Sequence, residues 1–148
     1  MLSLHNMFNR MKINVIINRI PKGLMSILIV MIVAYISLDK NPFDTNKISL
    51  FEGADKVIHC IVYCVMTLIF MVDWAKIRYP KNITILSMWV CVAISFVYSL
   101  LMEYMQDAMQ LGRTASVYDV IANLIGALLG FLFMKFIFFK WLYDINKR

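Results

Sequence analysis

The sequence predicts an all-α, polytopic membrane protein: a bundle of four transmembrane helices with both termini in the cytoplasm. Three observations carry that expectation. The chain has 148 residues, of which 61% are hydrophobic and only 16% charged, a balance that no ordinary soluble domain shows. Four apolar runs are long enough, with their flanks, to approach the ~20 residues needed to cross a bilayer. The cations are unevenly divided between the two sides those runs define. Arg10, Lys12, Arg19, Lys22, Lys76, Arg78, Lys81, Lys135, Lys140, Lys147 and Arg148 fall on one side, and Lys40, Lys47, Lys56 and Arg113 on the other. By the positive-inside rule the richer side faces the cytoplasm. The net charge of +6 then serves to orient the spans and meet anionic headgroups, so no nucleic-acid partner is expected. One membrane domain, residues 1–148, accounts for the whole sequence.

The first span, about 21–38, has its core at Leu24–Leu38 and gains reach from Ile20 and the long stem of Lys22. A basic segment ahead of an apolar core also describes an export signal. Here the basic region is long and Ile36-Ser37-Leu38-Asp39 offers no small-x-small cleavage site, so a retained helix is expected. Asn41-Pro42-Phe43-Asp44 reads as a turn in the following outer loop. The second span, about 57–74, is followed by a cytoplasmic loop at Asp73–Asn82, and the third runs over about 83–102. The fourth, about 117–139, carries Asp119 near its start and Lys135 near its end. Ala122, Gly126 and Gly130 recur at every fourth position, the small-residue spacing that lets membrane helices approach closely; packing within the chain is the expected use. Phe131–Tyr143, closed by Lys140, Trp141 and Tyr143, reads as an interfacial anchor. Cys60, Cys64 and Cys91 all lie within spans and are expected to be small packing residues rather than disulfide partners. His59 adjoins Cys60, but neighbouring positions on a helix diverge by about 100°, and no metal-ligand spacing is visible.

Polar residues concentrate at one end of these spans. Asp55, His59 and Tyr63 are four apart, one stripe descending about 6 Å per step along a helix. Ser95, Ser99 and Glu103 form a second stripe, which Gln106 and Gln110 continue if the helix extends. Ser116, Asp119 and Asn123 share a face of the fourth span, with Arg113 just ahead of it behind Gly112. Orientation was fixed from lysines and arginines alone, yet it brings Asp55, His59, Glu103, Gln106, Arg113, Ser116, Asp119 and Asn123 to the same outer end. Charge drawn toward hydrocarbon costs roughly 2.5–3.5 kcal/mol per residue by insertion scales, so such a group implies mutual pairing or a ligand. Tyr98 and Trp89 read as packing or interfacial aromatics. For His59 the alternative use is a hydrogen bond that glues two helices together.

With these motifs in place, the chain resembles the VanZ-like membrane proteins of bacteria. The resemblance rests on Asp55-Lys56-x-x-His59-x-x-x-Tyr63, on Glu103-x-x-Gln106, and on Arg113-x-x-Ser116-x-x-Asp119-x-x-x-Asn123-x-x-Gly126-x-x-x-Gly130. Where the family commonly has a proline-glycine pair before the arginine, this chain has Leu111-Gly112. The resemblance implies a multi-pass protein of the bacterial cytoplasmic membrane with a link to glycopeptide, and particularly teicoplanin, resistance; it supplies no reaction and no cofactor. Three readings of the polar cluster stand side by side. It binds a lipid-linked or anionic envelope component such as a cell-wall precursor, with Arg113 on phosphate or carboxylate; or it is an intramembrane enzyme with Glu103 or His59 as acid/base; or it is a structural network in a scaffold for a membrane partner.

Overall fold

The computed structural model describes residues 20–38, 53–78, 83–109 and 116–138. Among them the fold is entirely helical: α1 Leu24–Leu38, α2 Ala54–Arg78, α3 Ile85–Ala108 and α4 Val117–Phe133, the last running on into a π-helical turn at Met134–Phe138. Three helices are long and apolar enough to cross a membrane, and the 15-residue α1 is a shorter apolar helix. The turn at Asn41–Asp44 and the anchor residues Lys140, Trp141 and Tyr143 lie outside the described residues.

The helices begin where local chemistry allows them to. Gly23 (φ 83°) and Gly53 (φ 86°) stand immediately before α1 and α2 in left-handed conformation, which glycine adopts without a Cβ penalty. The Gly53 carbonyl accepts the Lys56 N–H at 3.1 Å and so opens α2. Thr84 caps α3, its hydroxyl accepting the Ser87 N–H at 3.2 Å. Elements outrun the apolar windows of the sequence. α2 extends through Arg78, so Asp73, expected at the start of a loop, lies within the helix and is 1% exposed. α3 continues to Ala108. Hydropathy marks only the greasy part of a helix, whereas backbone hydrogen bonding continues through polar residues until the chain turns.

Contacts near the helix ends define the arrangement. Ser26 in the first turn of α1 bonds Asp73 near the end of α2, with N–H and hydroxyl both donating to Oδ2 at 2.8 and 2.9 Å. At the other end of α1, Gln106 of α3 donates to the Ser37 carbonyl at 2.7 Å. Helix α1 is therefore antiparallel to α2 and parallel to α3, and Tyr98 donating to the Val30 carbonyl at 2.8 Å holds its middle. Helix α4 packs most extensively on α2 and also on α3. Gly126 lies against the Cys60 backbone and Gly130 against the Cys64 carbonyl, so α2 and α4 run parallel in register, with the small residues used inside the chain. The result is an up-down-up-down bundle.

Its interior is more polar than its exterior. Leu86, Val117 and Phe136 are at least two-thirds exposed, and a long series of Ile, Leu and Val side chains faces outward. Thr67, Asp73, Ser95, Ser99, Glu103, Gln106 and Asn123 are buried. In water this distribution would expose a very large apolar surface; in a bilayer it is the economical one, since polar side chains find partners only inside. Apolar packing fills the half nearer the α2 C-terminus, where Met71, Met88, Cys91, Val92, Ala127, Phe131 and Met134 form the main cluster. Trp89 stacks at 4.6 Å on Phe131, a packing role.

Candidate functional site

The opposite end carries the polar cluster. It is assembled from the first two turns of α2, the last turns of α3 and the first two turns of α4. A ring nitrogen of His59, a carboxylate oxygen of Glu103 and one of Asp119 all lie within 4.8 Å of one another. The close α2–α4 approach puts His59 beside Asn123, and the antiparallel α3–α4 pair puts Glu103 beside the α4 N-terminus.

Hydrogen bonds fix most of these groups. His59 Nδ1 donates to Asn123 Oδ1 at 3.1 Å, and Asn123 Nδ2 donates to Ser99 Oγ at 2.8 Å. Since the Asn123 amide gives its N–H to the serine, its oxygen is left to accept from the imidazole. A neutral His59 thus carries its proton on Nδ1 and keeps the Nε2 lone pair. Glu103, 5% exposed, accepts the Ser116 N–H on Oε2 at 3.3 Å. That contact places a carboxylate against the first free amide of α4, where helix polarity favours negative charge. Asp119 is 9% exposed, and its Oδ1 is shielded from solvent and accepts no hydrogen bond among the described residues. Among the described residues the nearest cation is the Lys56 ammonium at 3.8 Å, which also pairs with Asp55 at 3.0 Å.

The residues singled out from sequence divide accordingly. His59, Glu103, Asp119 and Asn123 come together, with Ser116 joined through its backbone N–H. Asp55 is exposed and, among the described residues, reaches the cluster through Lys56. Gln106 is buried but spends its amide on α1, a helix-tying role. Arg113 and Gln110 lie outside the described residues. Sequence reasoning passed over Lys56 as a site residue; its position beside Asp55 at the head of the stripe was the available signal. It also passed over Asp73, whose burial nothing in the local sequence indicates. Asp73 belongs to a separate group at the far end of α2, where Lys76 lies 3.6 Å from its Oδ1 and donates to the Ile20 carbonyl at 3.0 Å.

Chemically, the cluster offers two carboxylates and an oriented imidazole within two helical turns of the end of the bundle. Such a set can accept hydroxyl or ammonium donors, exchange protons, or ligate a cation. No curated protein and no solved structure matches the chain. A family model described as VanZ/LLP1 matches residues 3–140. That match spans nearly the whole sequence and includes every helix that builds the cluster, so this chain of apolar helices is a membrane protein belonging to the VanZ/LLP1 family.

Proposed function

We propose that the protein binds the polar headgroup of a bacterial envelope component, lipid-linked or otherwise anionic or sugar-bearing, at the His59/Glu103/Asp119 end of the bundle, and thereby influences glycopeptide susceptibility. The observation that supports this most directly is the convergence of those three side chains within 4.8 Å, His59 half-buried and Glu103 buried, polar groups that packing alone would not retain in a hydrocarbon setting. Glu103 and Asp119 are acceptors for sugar hydroxyls, while Lys56 and Arg113 are the cations available to phosphate or carboxylate, the arginine through its planar fork. The cation distribution orients this end toward the outer leaflet of the cytoplasmic membrane, with both termini inside. Helix α1 is tied to its neighbours near both ends; its 15 residues span about 22 Å, and flanking residues with local bilayer thinning would complete a fourth crossing.

The test is lipid retention. Protein extracted in mild detergent is expected to carry a phosphate-bearing envelope lipid detectable by mass spectrometry, and Arg113→Ala to lose it at unchanged abundance. Equal retention by both forms overturns the arginine's role, and absence of any such lipid overturns the reading.

A second reading rests on one specific contact. The His59–Asn123 hydrogen bond at 3.1 Å orients an imidazole beside Glu103, the arrangement an intramembrane acid/base enzyme acting on a headgroup requires. Glu103→Gln keeps shape and acceptor but removes the base. Wild-type phenotype in that variant excludes Glu103 as base and leaves binding intact. In the scaffold reading, phenotype would fall only in step with protein level.

A further inference from the structure

We infer that Tyr35, Tyr104 and Tyr118 form a belt that docks the bundle on the headgroup–hydrocarbon boundary of a bilayer and holds Glu103 and Asp119 at that depth. The three side chains are 70%, 71% and 71% exposed and come from three helices, α1, α3 and α4. Tyrosine is amphipathic: its ring suits hydrocarbon while its hydroxyl needs water or a headgroup, so it gathers at membrane interfaces. One exposed tyrosine would mean little by itself. What distinguishes these three is a common height.

That height follows from the contacts between helices. Asn123 of α4 bonds Ser99 of the antiparallel α3; Tyr118 lies five residues from Asn123 and Tyr104 five from Ser99, both toward the same end of the bundle. Gln106 of α3 bonds the Ser37 carbonyl of the parallel α1; Tyr104 and Tyr35 each lie two residues back from that contact. The three therefore stand within about one helical turn of a single plane. The surface changes character there. On α3 every exposed residue from Ile85 to Leu101 is apolar, and the exposed Asp107 follows Tyr104 within one turn. On α4 the exposed residues from Ile121 to Phe133 are likewise apolar, ahead of Lys135. Ile85 to Tyr104 makes about 30 Å of helix, the thickness of a hydrocarbon core. Tyr118 to Lys135 makes about 26 Å, and the lysine stem reaches the remainder.

The belt sets the depth of the cluster because tyrosine and carboxylate are neighbours in sequence. Glu103 precedes Tyr104 and Asp119 follows Tyr118. Adjacent positions diverge by about 100° around a helix, so one turn presents the ring to lipid and the carboxylate to the bundle interior, where Glu103 and Asp119 are buried. Groups at this depth share a layer with lipid phosphates and glycerol esters. That the cluster draws its ligand from that layer rests on the proposed function above; the belt itself does not.

The experiment measures depth. In the full chain with Cys60, Cys64 and Cys91 replaced by alanine, Tyr35→Cys, Tyr104→Cys, Tyr118→Cys, Val97→Cys and Ile125→Cys are made singly, spin-labelled and reconstituted in palmitoyl-oleoyl phosphatidylcholine vesicles. Label depth is read by EPR from collision with oxygen and with a water-soluble nickel chelate, and circular dichroism certifies each variant as helical. Labels at the three tyrosine positions are expected at the headgroup boundary, within about 5 Å of one another. Those at Val97 and Ile125, seven residues farther along, are expected about 10 Å deeper. A tyrosine position at the depth of Val97 or in bulk water overturns the common plane. A label immobilised and shielded from both collision partners indicates a protein contact instead and overturns it too. With the Val97→Cys label as reporter, replacing all three tyrosines by leucine is expected to shift its depth by at least ~3 Å, two residues of helical rise, whereas tryptophan, which shares the interfacial preference, keeps it. An unmoved reporter in the leucine variant overturns the anchoring role. A common depth without a retained envelope lipid removes the headgroup reading and leaves the belt standing; a retained lipid with scattered depths does the reverse.

Discussion

Substituting Gly126 by alanine tests the packing that brings the site together. A Cβ built on Gly126 would overlap the Cys60 carbonyl oxygen and lie 2.9 Å from the carbonyl carbon and 3.0 Å from Cα, against 3.4–4 Å for ordinary contact. All three obstructing atoms are backbone, so no side-chain rotation relieves them and α2 and α4 must part by roughly half an ångström or more. Overpacking of this kind costs about 1–3 kcal/mol, and the upper part of that range applies because the obstacle is rigid. The better helix propensity of alanine returns up to about 1 kcal/mol. The net loss of about 1–2 kcal/mol corresponds to a ~5–30-fold fall in the folded/unfolded ratio. The same separation stretches the His59–Asn123 bond, now 3.1 Å, toward the ~3.5 Å beyond which little hydrogen bonding remains. Stability is measured by SDS-induced unfolding of the purified protein followed by circular dichroism. Gly53→Ala is the comparison, since nothing lies within 4 Å of its Cβ position and its cost arises only from the left-handed backbone; it should lose stability with little effect at the cluster. Wild-type stability in Gly126→Ala would refute the close parallel α2–α4 approach.

Asp73→Ala removes the acceptor of both Ser26 hydrogen bonds and leaves the Lys76 ammonium near its place. It should destabilise by about 3–5 kcal/mol, the range for breaking a buried charged pair, and release α1 first, visible as faster proteolysis between Ile20 and Leu38. Tyr98→Phe deletes only the bond to the Val30 carbonyl and should cost about 1 kcal/mol in the same unfolding assay. Alanine at His59, Glu103, Arg113 or Asp119 is expected to change glycopeptide susceptibility at normal membrane abundance, scored by immunoblot beside growth inhibition. Alanine at the exposed Asp55 should have the smallest effect of the series.

The sequence determined the secondary structure and the class of environment, because both are local properties. Apolar runs gave the helices, and spacing by four gave each helix its polar stripe: Asp55, His59 and Tyr63; Ser95, Ser99 and Glu103; Ser116, Asp119 and Asn123. Even the small-residue face of α4 was legible, since Ala122, Gly126 and Gly130 follow the same periodicity. Which stripes would meet was not. That depended on how deeply α4 settles against Cys60 and Cys64, set by packing between residues some sixty positions apart, and on the direction in which α3 crosses it, fixed by contacts such as Ser99–Asn123, 24 positions apart. Tertiary structure therefore decided that His59 faces Asn123 and nears Glu103 and Asp119, that Gln106 serves α1, and that Asp55 stays outside behind Lys56. It also decided that Asp73 is buried, because α1 folds back over the end of α2 and brings Ser26 to it. Periodicity places a side chain on a face of its own helix, but only the crossing of helices determines what that face meets.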